Sequence, residues 1–181
     1  MNKAASRHNK RRSQAGFSLT ELLVTTLILA LLTGLVATGV PLAQHAYTKI
    51  VDRANADVLL STTVICIRSE LDTVTTVMKD DSGAVQGFVS GKTGYASMLG
   101  STGGSRGIVL REDRPNSEGP VETPLVSENA ATNGLHTVYD ALTYANGTFT
   151  VSNLRVLNEQ GVEIASLPTY QVEVLTNPAL T

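Results

Sequence analysis

The sequence predicts an α+β protein, a long N-terminal helix, membrane-spanning in its first half, packed against a small antiparallel β-sheet. Three observations predict it. Residues Leu22 to Val40 run 19 positions without a charge. Apolar residues at alternating steps of three and four then continue to Met78. The last third alternates apolar and polar residues between turn signals.

Residues 1–16, MNKAASRHNKRRSQAG, hold Lys3, Arg7, Lys10, Arg11 and Arg12 with no acid, and nothing apolar enough to pack. They read as a disordered or removable leader. The other 165 residues carry nine basic against 16 acidic side chains, a net of −7. A basic head on an acidic body points to membrane topology, because positive flanks hold the near end of a span in the cytoplasm. The body has no basic stripe, so nucleic acid is not indicated as a partner. Leu22 to Val40 cover roughly 28 Å as a helix, close to a bilayer core.

At Pro41 the character changes, since proline removes a helix donor and loosens the turn before it; Gly34 and Gly39 weaken the same region. Beyond it Tyr47, Val51, Ala54, Val58, Ser61, Val64, Ile67, Leu71, Val74 and Met78 form an apolar stripe, with Lys49, Asp52, Arg53, Asp57, Arg68, Glu70 and Asp72 mostly off it. One helix from about Phe17 to Met78 is expected, its β-branched end DTVTTVM prone to leave the helix early. The divisions are a leader at 1–16, a transmembrane helix at 17–40, an amphipathic continuation at 41–78 and a loop-rich β domain at 79–181.

KDDSG at 79–83 is a stop signal. From there to about Leu135 the chain is rich in Gly, Ser, Thr, Pro and Asn, and loops with one or two short strands are expected. Asn146-Gly147 between two β-rich runs is the strongest short-range hairpin signal, and NEQG at 158–161 gives a second turn. VEIASL follows, and past Pro168, TYQVEVLT sets Tyr170, Val172 and Val174 on one face and Gln171 and Glu173 on the other. A meander of three or four strands needs an apolar cover, which the helix stripe supplies.

Few residues promise chemistry. The glycine-rich GSTGGSRG lacks the ending and context of a phosphate loop. His8, His45 and His136 are far apart, leaving no metal cluster. Cys66 is the only cysteine, so no intrachain disulfide forms, and in TVICI it reads as a small core residue. The NGT sequon at 146–148 is explained by the hairpin without sugar. No catalytic triad or carboxylate pair stands out, and neither an enzyme nor a cofactor is expected.

The informative stretch is GFSLTELLV at 16–24. A secretory signal peptide fits poorly, because the apolar run exceeds an h-region and no small-residue cleavage point follows. An uncleaved anchor explains everything except the Gly-Phe and the acid. The stretch resembles the class III signal of type IV pilins and pseudopilins, with Gly16 before the cleaved bond, Phe17 as the new first residue, Glu21 fifth from it, then an apolar helix. The likeness covers about 30 residues; in the rest only the helix-then-sheet order agrees.

The resemblance implies that a membrane prepilin peptidase cuts between Gly16 and Phe17 and methylates the Phe17 amine. It implies a cytoplasmic-membrane protein with its N-terminus inside and its β domain outside. Other pilin subunits and an inner-membrane assembly platform would then take it into a filament. Glu21 would meet the Phe17 amine of a neighbouring subunit, although Ser18 and Glu21 also form a capping-box pattern, and the two roles can coexist. Gly39 and Pro41 would be either a tolerated kink or the point where the helix breaks on leaving the bilayer. The competing reading is a single-pass anchored binding module that forms no filament.

Overall fold

The computed structural model describes residues 17–101, 106–127, 132–176 and 178–180. It is α+β: among the described residues, helix α1 (Leu19–Leu71) is followed by ten strands. The chain divides into two compact units, with the boundary between Tyr47 and Thr48.

In the first unit every described residue is exposed. Four threonines that would otherwise bring bare hydroxyls to an apolar surface donate back to the helix: Thr25 to the Glu21 carbonyl, Thr26 to Leu23, Thr33 to Leu29 and Thr38 to Gly34. The segment therefore keeps its apolar character despite its hydroxyls, because each polar group is satisfied inside the helix. Gly39 and Pro41, read from the sequence as either a tolerated kink or a breaking point on leaving the bilayer, both lie inside α1. Pro41 only withholds one N–H from the carbonyl four residues back, and neighbouring helical bonds hold the geometry.

The second unit packs the rest of α1 against two sheets. The helix buries Ala56, Leu59, Thr63, Ile67 and Leu71, spaced by three and four, with the Thr63 hydroxyl satisfied by the Leu59 carbonyl at 2.8 Å. This corrects the expected stripe in its first half: Tyr47, Ala54, Val58 and Ser61 are exposed. The expectation passed over Leu59 and Leu60, whose bulk decides which face turns inward. The helix also ends earlier than Met78. Arg68 accepts its last α-type bond from Asp72 N–H, and the β-branched run beyond enters strand β1 (Thr76–Lys79).

The region expected to hold one or two strands holds four among its described residues. These are β2 (Val85–Val89), β3 (Ala96–Ser101), β4 (Ile108–Glu112) and β5 (Val121–Pro124), in an antiparallel run from β1 to β5. Their high Gly and Ser content hid them, because pairing and burial override weak propensity. The C-terminal β10 (Ala179–Leu180) adds in parallel to the free edge of β1, giving the order β10-β1-β2-β3-β4-β5.

The second sheet is antiparallel with four strands, where three or four were expected. Its centre is β8 (Thr148–Leu157), with β9 (Glu163–Glu173) on one side and β6 (His136–Val138) and β7 (Ala141–Ala145) end to end on the other. Asn146 and Gly147 make the β7–β8 turn with φ of 50° and 80°, the twin positive values a two-residue hairpin demands. In the next turn Asn158 Oδ1 accepts from the N–H groups of Gln160 and Val162. β9 passes straight through Pro168 as a single strand.

One core unites helix and sheets. Ile67 and Leu71 meet Val77, Phe88 and Leu99 of the first sheet and Phe149, Val151, Leu154 and Val172 of the second. Phe149 is its hub, edge-on to Phe88 at 6.4 Å and tilted on Tyr144 at 4.7 Å. A smaller cluster joins Ala56 and Leu59 to Leu135, Val156 and Ala165.

Candidate assembly site at the helix N-terminus

The site starts with Ser18. Its side-chain Oγ accepts from Glu21 N–H at 3.2 Å, while Ser18 N–H donates to Glu21 Oε2 at 3.5 Å. This reciprocal pair is a capping box, and it places a carboxylate where the helix dipole favours one. The backbone bond is long and exposed. A carboxylate offers about four acceptor positions, so the cap leaves Glu21 able to take a further donor. Phe17, 78% exposed, precedes it, and between Phe17 and Lys49 no other Lys, Arg, Asp or Glu occurs.

The arrangement is thus one acid at the start of an exposed, uncharged helical stretch, Leu22 to Val40, in a helix long and apolar enough to cross a membrane. In hydrocarbon, an unpaired carboxylate costs several kcal/mol by order of magnitude, so Glu21 calls for a cationic partner or the membrane surface. Gly16 and the whole leader lie outside the described residues, so the cleavage position stands on the sequence.

Other sequence features resolve elsewhere. Four residues of GSTGGSRG lie outside the described set. Cys66 is half-buried, at the margin of the core rather than in it. The sequon asparagine, Asn146, is occupied as a turn residue with positive φ. Among the described residues no group of three or more His, Cys, Asp or Glu side chains could hold a metal ion.

The ionisable groups of the β domain hold structure together. Asp80 Oδ1 accepts from Ser82 Oγ and from the N–H groups of Ser82 and Ala84, closing the β1–β2 turn; led by the Ser82 hydroxyl, these bonds hold its carboxyl below the ordinary value. Glu112, nearly buried, accepts both Nε and a terminal nitrogen of Arg114, at 3.0 and 2.6 Å. The Tyr139 hydroxyl donates to the Leu99 carbonyl at 2.5 Å, linking the sheets, and burial pushes its pKa up to about 12.

What the sequence reading missed is a second apolar face on α1. Ile50, Val58 and Ile65 are each about two-thirds exposed, on the side of the helix opposite Leu59, Thr63 and Ile67. Separating two stripes rather than one would have revealed it.

Residues 11–37 match the prokaryotic N-terminal methylation motif, the class III prepilin signal of type IV pilins and pseudopilins. No curated protein and no solved structure gave a significant match to the chain.

Proposed function

We propose that the chain is a structural subunit of a type IV pilus or a pilus-like filament, such as a pseudopilus or competence filament. It is cut between Gly16 and Phe17, methylated at Phe17 and assembled by helix packing. The observation that carries this reading is the coincidence of the methylation motif at 11–37 with an exposed helical stretch, Leu19 to Val40, whose one charged side chain is the acid near its start. The motif implies processing by a prepilin peptidase. The exposed helix suits first a bilayer and then a bundle of like helices, with other pilin subunits and an inner-membrane platform as its partners.

In this reading Glu21 works by charge neutralisation. Cleavage creates a new amine at Phe17, and the amine of one subunit pairs with the Glu21 of its neighbour, so both charges leave water together. Because the capping box uses few of the carboxylate's acceptor positions, capping and pairing are compatible. The β domain then forms the outer surface, and the role is structural rather than catalytic.

Two measurements test it. Mass spectrometry of the membrane-extracted protein should find an N-terminal methylated Phe17; an intact basic leader in assembled material sinks the proposal in favour of an anchored binding module. Glu21→Ala should still be inserted and processed, but filament yield should fall about tenfold or more, the equivalent of some 1.4 kcal/mol per subunit added. Gly16→Val should block cleavage, because a side chain there obstructs the close approach of the backbone.

A further inference from the structure

The first sheet turns Val77, Phe88 and Leu99 into the core, so the residues beside them, Met78, Gly87 and Met98, face away from it. On that outer face Met78 pairs with Gly87, and Met98 with Arg111. A cleft of about 380 Å³ opens there, and Met78, Gly87, Met98, Arg111, Asp113 and Pro120 are among the residues that line it. Its size lies at the small end of the range that holds organic ligands.

Gly87 makes the hollow. It has no positive φ, so its missing side chain serves space rather than backbone conformation, and a glycine inside a strand often marks a close approach. A Cβ at this position would lie 3.2 Å from the Met78 methyl carbon and 3.4 Å from the Ser97 carbonyl oxygen. The two thioethers give the cleft polarisable walls suited to the edge of an aromatic ring. Of the two charged residues in the lining, Arg111 is spent on Glu122 at 2.7 Å. Glu112, beside it, is spent on Arg114 at 2.6 Å. Among the described residues, the Asp113 carboxylate between these pairs has no partner, while its backbone N–H is anchored by the Ala96 carbonyl at 2.9 Å. A cation complements a lone carboxylate, and the net charge of −7 on residues 17–181 favours its approach.

We propose that this cleft binds a small organic cation, with an aromatic ring seated against Met78 and Met98 and a primary ammonium group donating to Asp113. The site goes beyond the filament reading and does not depend on it. The test uses the full-length chain in neutral detergent, with isotope-labelled methionine methyl groups observed by NMR and phenethylammonium as the probe. The chain has three methionines, so Met1 serves as the internal reference. The Met78 and Met98 signals should shift saturably, and the Met1 signal should not. Phenethyl alcohol, the same ring with a neutral hydroxyl, should bind about fivefold more weakly, and Asp113→Asn should weaken phenethylammonium to the same level. Gly87→Val should abolish the saturable shift by filling the hollow. Should Gly87→Val fail to fold, the two probes compared on the wild type and on Asp113→Asn, an exposed position, still decide the matter. Absent or unsaturable shifts at Met78 and Met98, equal binding of both probes by the wild type, or wild-type binding by either variant would overturn the proposal.

Discussion

Tyr139 shows how much a single hydroxyl decides in a domain with so few aromatics. It crosses from the second sheet to the Leu99 carbonyl of the first, and its environment favours the neutral phenol. With a folded pKa of about 12 against an ordinary 10.0, it contributes stability in full below pH 10; that contribution is lost as pH rises toward 12. Absorbance titration should show one tyrosine ionising late, and Tyr139→Phe should abolish that late step and cost about 1 kcal/mol in urea unfolding. None of this was legible in the sequence, where Tyr139 is one of five tyrosines without a distinguishing neighbour. Glu21 is the opposite case. Its place after Gly16-Phe17 and before an uncharged run makes it conspicuous from the chain alone, and Ser18 three positions earlier already spelled the capping box that the structure contains.

At the scale of elements, β8 and β9 carry a feature that their patterns only half disclosed. Burial alternates along β8 at Phe149 and Val151, then skips a step and resumes at Leu154 and Val156. On β9 the same change separates Ala165 from Val172, with Pro168 between them. Ser152 pairs with Thr169 and Leu154 with Leu167, so Asn153 stands opposite Pro168. Asn153 takes φ 53°, and its side-chain amide donates to Asp140 Oδ2 at 2.6 Å. Both strands thus change their inward-facing parity together, and the register survives. Asn153→Ala should cost about 1–2 kcal/mol from left-handed backbone strain, whereas Asn153→Gly should cost less than half as much. The Asn153 bond and the Arg155 guanidinium hold Asp140 below its ordinary pKa, so the stability it adds is present above that value and fades as pH falls through the lowered one. Both Asn153 variants should move the Asp140 titration upward in carboxylate NMR.

For the β-bearing unit as a whole, the C-terminus closes what the helix begins. Leu175 N–H donates to the Asp72 carbonyl at 2.9 Å, Thr176 Oγ1 to the Val74 carbonyl, and Ala179 N–H to the Thr75 carbonyl at 3.0 Å, so Leu175, Thr176 and Ala179 lie along the segment that leaves α1. Deleting residues 175–181 should strip the edge of β1 and lower unfolding stability by about 3 kcal/mol, read as an earlier urea midpoint, since each of the three lost bonds is worth on the order of 1 kcal/mol net.

The sequence by itself determined what depends on neighbours along the chain. The uncharged helix of membrane-spanning length, the acid and its cap, the early helix exit at a β-branched run and the Asn146-Gly147 hairpin are all local, because capping, propensity and turn geometry act within a few residues. Only the tertiary structure decided which helix face turns inward, that a glycine- and serine-rich stretch forms four strands, and that a two-residue tail completes their sheet. Those outcomes rest on contacts between residues far apart in the chain, where burial outweighs local preference.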